Sequence, residues 1–218
     1  MGLGHEDFMR LFDQWAPSYD ETVRSPSAEG FEHYEEVLAA VVGAVAGKPG
    51  ELVVDVGAGT GNLALALLAA GYRVVAVEPS PGMRAVARAK LTGRPVPVVP
   101  GHFLDLPLPD GAAAAAVSTY AFHHLPDREK ARAAEELLRV VRPGGRVVIA
   151  DIAFASIADR EERRRKYERA GRRDLVQEFD SEYYTTADAM AAGFRARGCP
   201  AQVQQLDDWV WLVVATHP

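Results

Sequence analysis

Val54-Asp55-Val56-Gly57-Ala58-Gly59-Thr60-Gly61-Asn62 is a β-branched run that breaks into three glycines within five residues and passes at once into an alanine–leucine helix. No other feature constrains the chain as strongly. Glycine takes φ > 0 without strain and lets backbone approach a ligand closely. A turn of this kind between a strand and a helix belongs to an open parallel sheet, whose ligands sit beyond the carboxyl ends of the strands.

The rest of the sequence continues the alternation. Strands are predicted over 51–56, 72–77, 95–100, 112–119 and 146–154, with helices over 62–70, 82–91 and 128–141 between them. Pro95, Pro97 and Pro100 confine the third strand to an edge or keep it short, because proline cannot donate to a ladder. Ahead of the sheet, an amphipathic helix over 7–24 carries Phe8, Leu11, Phe12, Trp15 and Tyr19 on one stripe. A polar break at Ser25-Pro26-Ser27 and an apolar helix over 29–45 follow. After the fifth strand comes a charge-rich helix over 159–174, read as an insertion, then a helix over 187–197 capped by Thr186. Two final strands, 201–205 and 209–216, are joined only by Leu206-Asp207-Asp208. So short a link makes them antiparallel.

The dinucleotide fingerprint G-x-G-x-x-G requires a third glycine where Asn62 stands; the spacing here is G-x-G-x-G, a poor fit to a pyrophosphate. Taken alone, the turn is either a ligand cradle or a tight connection with no ligand. Glu78 sharpens the choice. It ends the second strand 21 residues after Gly57, where an acid can accept from both ribose hydroxyls of an adenosine and would repel a 2′-phosphate. The plainer reading is a solvated carboxylate at a strand end.

Composition excludes several classes. At 218 residues, with 48% apolar residues and a net charge of −6, the chain suits one globular domain and a poor general nucleic-acid binder. No apolar run approaches the ~18 residues of a membrane span, and no signal-peptide pattern opens the chain. Gly2 does not read as a myristoylation site, because Glu6 stands where Ser or Thr is required. Cys199 is the only cysteine, which suits a cytoplasmic protein without disulfides.

Four segments in this order resemble the class I S-adenosylmethionine-dependent methyltransferases: residues 54–61; Glu78-Pro79-Ser80-Pro81-Gly82-Met83; Gly101-His102-Phe103-Leu104-Asp105-Leu106-Pro107; and Leu138-Arg139-Val140-Val141-Arg142-Pro143-Gly144-Gly145. The stretch Phe12-Asp13-Gln14-Trp15-Ala16-Pro17-Ser18-Tyr19-Asp20-Glu21-Thr22-Val23 resembles the start of that family's small bacterial YrrT-type branch. The resemblance implies a Rossmann-like α/β fold: a seven-stranded, mostly parallel sheet with helices on both faces and an antiparallel last strand. It implies one methyltransferase domain over 1–218, with an N-terminal helical lid (1–46), a cofactor-binding core (51–154), a helical insertion (155–180) and a C-terminal helix and hairpin (181–218). The cofactor would be S-adenosyl-L-methionine, leaving S-adenosyl-L-homocysteine.

By the same resemblance, Asp55 with Gly57, Ala58, Gly59 and Gly61 surrounds the methionine end, and Glu78, followed by Pro79, holds the ribose. Met83 packs on the adenine, although it reads equally as a core residue of its helix. His102 stands where many relatives carry an aspartate that accepts from the adenine amino group; either a neutral imidazole nitrogen accepts that bond or the bond is absent. Phe103 and Thr119 belong to the same set, and Asp105 is the fallback carboxylate. Tyr19 would reach the cofactor carboxylate from the lid, or simply dock its helix on the sheet.

Methyl transfer needs alignment, desolvation and, for some acceptors, removal of a proton. His123 and His124, at the carboxyl end of the fourth strand, are the candidate general bases; the alternative is that they shape the loop and cap the next helix. No metal is expected, since the chain near this pair offers no further ligands. Tyr183 and Tyr184 are candidates to line an acceptor pocket. The segment 159–174 has eight basic and five acidic residues and three readings: a solvated helix laced with ion pairs, a cover for an anionic substrate, or an RNA contact opposed by the −9 on the rest of the chain. The expected activity is transfer to a small-molecule acceptor, away from membranes and nucleic acid. An RNA or protein methyltransferase, a cofactor-binding module without turnover, and an NAD-dependent oxidoreductase are the alternatives.

Overall fold

The computed structural model describes residues 4–25 and 28–218; Gly2, Pro26 and Ser27 lie outside the described residues. Helices α1 (His5–Trp15), α2 (Tyr19–Val23) and α3 (Tyr34–Ala44) precede strand β1 (Leu52–Val56). Then come α4 (Asn62–Ala69), β2 (Arg73–Val77), α5 (Pro81–Lys90) and β3 (Val98–Val99). Strand β4 (Ala113–Thr119) runs into a 3-10 turn at Phe122–His124, followed by α6 (Asp127–Val140) and β5 (Val141–Ile152). Helices α7 (Ile157–Arg169), α8 (Arg173–Ser181) and α9 (Ala187–Arg195) lead to β6 (Ala201–Gln205) and β7 (Val210–Thr216).

The seven strands form one sheet in the order β3-β2-β1-β4-β5-β7-β6. Strands β1 to β5 pair in parallel, and β7 runs antiparallel to both β5 and β6. The order reverses between β1 and β4, so the switch point lies at their carboxyl ends. Alternation along β1 feeds two cores: Val53 joins α3 and α4 on one face, while Val54 and Val56 join α6 and α9 on the other. The β6–β7 link is an Asx turn in which Asp207 Oδ1 accepts the amides of Trp209 (2.7 Å) and Val210 (2.6 Å). Among the described residues no helix is long and apolar enough to cross a membrane.

Several boundaries differ from the sequence reading. The helix expected over 7–24 is split into α1 and α2, because Pro17 offers no amide for a continuing helical bond. The helix expected from residue 29 begins at Tyr34, since Gly30 sits at φ +87°. The charge-rich segment forms α7 and α8, interrupted at Gly171 (φ +69°). The third strand is only two residues long and lies at the sheet edge. Strand β5 starts at Val141 instead of residue 146, and its register against β4 shifts between Ala113 and Ala115. Arg142 to Gly145 thus form a bulge, so the expected turn survives inside the strand.

Gly145 makes that bulge possible: a Cβ there would lie 2.5 Å from the Ala114 carbonyl oxygen and 2.6 Å from Val141 Cγ1. Gly145→Ala is expected to cost about 1–3 kcal/mol, as in other overpacked sites, read as a lower urea midpoint. An unchanged midpoint would contradict this packing.

Candidate functional site

The site begins with the glycine turn. Gly57 (φ +70°), Gly59 (φ +54°) and Gly61 (φ +84°) all adopt the left-handed conformation, so the spacing in the sequence is a backbone requirement. A Cβ on Gly57 would lie 2.6 Å from the Ala121 Cβ. A Cβ on Gly59 would meet no protein atom within 4 Å, and Gly59 lines a cavity of about 200 Å3 at the switch point.

Beneath the turn lie two acids from adjacent strands. Glu78 is 5% exposed; its Oε2 accepts the Gly59 amide (2.9 Å) and its Oε1 the Ser80 amide (2.8 Å). Burial pushes its pKa up to about 7, against the pull of those two amides. Asp55 is 1% exposed, and neither carboxyl oxygen has a hydrogen-bond partner among the described residues. Burial, reinforced by the charge of Glu78, pushes it up to about 8 against the weaker pull of the Ala64 amide, which lies outside normal hydrogen-bond geometry. An unpartnered buried carboxyl is the kind of group a ligand donor satisfies.

The N-terminal helices fasten onto these turns through two other carboxylates. Asp13 Oδ1 accepts from Ser80 Oγ (2.6 Å) and the Gly82 amide (2.8 Å), and both bonds hold its pKa below the usual range. The approach is so close that a Cβ on Gly82 would lie 2.9 Å from the Asp13 Cα. Asp20 accepts from Thr60 Oγ1 (2.6 Å) and Asn62 Nδ2 (3.0 Å) and pairs with Lys90 Nζ (2.6 Å). Burial opposes its ionisation, but Lys90, Thr60 and Asn62 outweigh it and lower the pKa. Asn62 is therefore a member of a polar network at the start of α4, in which the Asp20 carboxylate adds a negative charge unfavourable to a pyrophosphate.

Most of the sequence-predicted residues come together in the first cavity. Tyr19, Gly57, Gly59, Glu78, Pro79 and Met83 line it, as do His102, Phe103, Thr119 and His124. Asp55 and Ala58 are buried outside its lining, and Gly61 caps α4. Asp105 is exposed and absent from the lining; it closes a tight turn through backbone bonds to His102. His102 Nδ1 accepts the Leu104 amide (3.1 Å), so a neutral ring carries its proton on Nε2 and offers a donor there, contrary to the acceptor role expected of it. Tyr183 lines this cavity, whereas Tyr184 lines a second.

The two histidines separate in role. His123 is locked on Asp151, its amide to Oδ2 (2.9 Å) and its Nδ1 to Oδ1 (2.5 Å). Burial alone would lower its pKa, but the Asp151 charge and hydrogen bond prevail and raise it. His124 lines both cavities and pairs through Nδ1 with Glu182 Oε2 (2.8 Å). Burial and the neighbouring His123 lower its pKa, against Glu182, which keeps the ring neutral near pH 7. Glu182 also supplies the third potential metal ligand that the local sequence lacked: with both histidines it forms a set whose ligand atoms lie within 4.8 Å of one another. The His124–Glu182 hydrogen bond itself accounts for that approach. Buried Lys130 ties the histidine loop to the Tyr183 segment, donating to the carbonyls of Leu125 (2.7 Å) and Tyr183 (2.8 Å).

Sequence reasoning missed Tyr120, Asp151 and Glu182, and gave Asp13 and Asp20 no role. Tyr120 is the sole non-glycine residue at positive φ among the described residues (+53°) and lines both cavities. Its position directly after a predicted strand was the available signal. Nothing in the spacing joined Glu182 to a histidine 58 residues away.

A methyltransferase domain model matches residues 54–149. A protein of Geobacillus kaustophilus called an uncharacterized methyltransferase is 41% identical over 98% of this chain and 98% of its own. The uncharacterized methyltransferase YrrT of Bacillus subtilis is 38% identical over 98% of this chain and 99% of its own. Among solved structures, the [4+2]-cyclase SpnF is similar in fold, with a TM-score of 0.77 at 15% identity, covering 100% of this chain and 97% of that one.

The buried acids set a pH window for the ligand-free protein. Each has a folded-state pKa above its ordinary value, 3.8 for Asp55 and 4.5 for Glu78. The stability they permit is fully present below those values and is lost as pH rises through about 7 for Glu78 and about 8 for Asp55. Melting curves from about pH 5 to about pH 8.5 should fall less steeply in Asp55→Asn than in the wild type. Identical slopes would contradict the assigned burial cost.

Proposed function

This chain belongs to the S-adenosylmethionine-dependent methyltransferases, and from that premise we propose that it transfers the methyl group to a small-molecule acceptor, with the glycine-lined cavity as cofactor site. The observation that carries the reading is Glu78, buried against the Gly59 amide with one face of its environment opening on that cavity. A carboxylate there suits a pair of ribose hydroxyls. Asp55, with its two unpartnered oxygens, suits the cationic methionine end. Met83 and Phe103 offer apolar surface for the adenine, and α1 with Tyr19 of α2 serves as the cover. When bound, S-adenosylmethionine supplies the electrophilic methyl group.

His124 is the residue suited to accept a proton from the acceptor. Its ring is neutral near pH 7, it faces both cavities, and Glu182 holds its orientation. His123, committed to Asp151, positions the loop. Most of the basic segment is paired with acids, which weakens its pull on a polyanion: Arg164 pairs with Asp180 and Glu168, Arg165 and Arg169 with Glu162, and Arg172 with Asp174. That pattern favours a small acceptor over RNA.

Equilibrium binding should show saturable affinity for S-adenosylmethionine and S-adenosylhomocysteine. Glu78→Ala is expected to weaken both about 10- to 100-fold, the loss of two charge-assisted hydrogen bonds. Folded wild-type protein that binds neither would overturn the reading. For His124→Ala, incubation with labelled methyl donor and the small-molecule fraction of a cell extract should show label transfer reduced about 10²- to 10⁴-fold, with cofactor affinity retained. The wild-type rate should fall on acidification only below the ordinary histidine range, because the pKa of His124 is lowered. Undiminished transfer in the variant would remove the base role.

A further inference from the structure

A second cavity, of about 550 Å3, adjoins the first, and Phe12, Tyr19, Tyr120 and His124 line both. Its walls come from α1 and α2, the segment before α3, α7, α8 and Trp209 just ahead of β7, and it is closed by Tyr120, the histidine pair and Ile152 at the carboxyl ends of β4 and β5. Its composition is unusual in two ways. Nine of its lining residues are Phe, Tyr or Trp, and four are carboxylates, Glu29, Asp174, Glu178 and Glu182, with no lysine or arginine among them.

The charges facing the space can be followed one by one. Glu182 pairs with His124 and Asp174 with Arg172. Glu29 lies 3.9 Å from Arg163 and accepts the Tyr167 hydroxyl. His123 shares its charge with Asp151. Glu178 has no ion-pair partner among the described residues. Glu178 lies on the exposed side of α8; partial desolvation and the nearby Glu182 raise its pKa, and the more distant His123 only partly opposes them. One ring of the cavity already holds a cation: the Arg163 guanidinium carbon lies 3.8 Å from the Trp209 ring centroid. Eight further aromatic residues line the space, Phe31, Tyr120 and Tyr184 among them, and aromatic walls that share a cavity with a carboxylate lacking an ion-pair partner attract positive charge and disfavour negative charge.

We propose that the second cavity binds a positively charged small organic molecule, an amine or alkylammonium compound, between its aromatic walls and Glu178. This rests on the methyltransferase reading and names the class to which the acceptor belongs. Anionic acceptors such as phosphorylated or carboxylated compounds are excluded by the same field.

The test uses the full-length protein saturated with S-adenosylhomocysteine and reads tryptophan fluorescence, since Trp15 and Trp209 line the cavity. The probes are benzyltrimethylammonium, benzyl alcohol and benzoate. The cation should quench saturably and bind at least about tenfold more tightly than benzoate, with the alcohol between them. Glu178→Gln, a change on an exposed turn of α8, should weaken the cation about fivefold while leaving S-adenosylhomocysteine affinity unchanged. Benzoate binding as tightly as the cation, or an unchanged cation affinity in Glu178→Gln, overturns the proposal. A protein that binds S-adenosylhomocysteine but not the cation overturns this inference alone. One that binds neither overturns the cofactor assignment with it.

Discussion

Two carboxyl groups buried side by side dominate the physics of this molecule. Asp55 in β1 and Glu78 just beyond β2 sit on paired strands, both nearly excluded from solvent, and the charge of Glu78 adds to the cost of ionising Asp55. Burying a charge without compensation costs several kcal/mol even after relaxation. The fold limits that cost by pushing both pKa values toward or above neutrality and by giving Glu78 two backbone amides. Asp55 makes no hydrogen bond of normal geometry and feels only the weaker pull of the Ala64 amide. Such a pair reduces stability and is retained where a ligand brings the missing donors and positive charge.

The architecture around the pair follows from keeping that ligand position enclosed. Three left-handed glycines bring backbone amides over Glu78. Two carboxylates of the N-terminal helices then fix the flanking turns: Asp20 on the first turn of α4, Asp13 on the first turn of α5. The Asp20 carboxylate, held by the Thr60 and Asn62 side chains at the start of α4, would repel a pyrophosphate placed there. The aromatic stripe of α1 follows from the same docking: Phe8 and Phe12 pack on His124, with ring centroids 4.7 Å and 4.9 Å away. The cover, the histidine loop and the glycine turn thus form one packed unit.

The sheet was legible in the sequence because its signals are local. β-branched runs, glycine stops and the short Leu206–Asp208 link fix strands and direction without tertiary information. Errors arose where one residue interrupts a longer pattern: Pro17 splits the first helix, and Gly171 splits the charge-rich one. Of the site, Glu78 and the glycine turn were readable, since spacing along one strand–helix–strand unit decides them. The His124–Glu182 pair, the Asp151 anchor and the clasps of Asp13 and Asp20 were not, because each joins residues 28 to 69 positions apart. Spacing rules do not reach across such separations. The second cavity was illegible for the same reason, as its walls come from segments that only the fold brings together.

The central claim is that the cavity over the glycine turn receives an adenosine whose sugar lies on Glu78. A crystal structure of the protein grown with S-adenosylhomocysteine tests it most directly. The account predicts density for the nucleoside between Gly59 and Met83, with both ribose hydroxyls on the Glu78 carboxylate. Density for the nucleoside elsewhere, with Glu78 still bound only to the Gly59 and Ser80 amides, would contradict it.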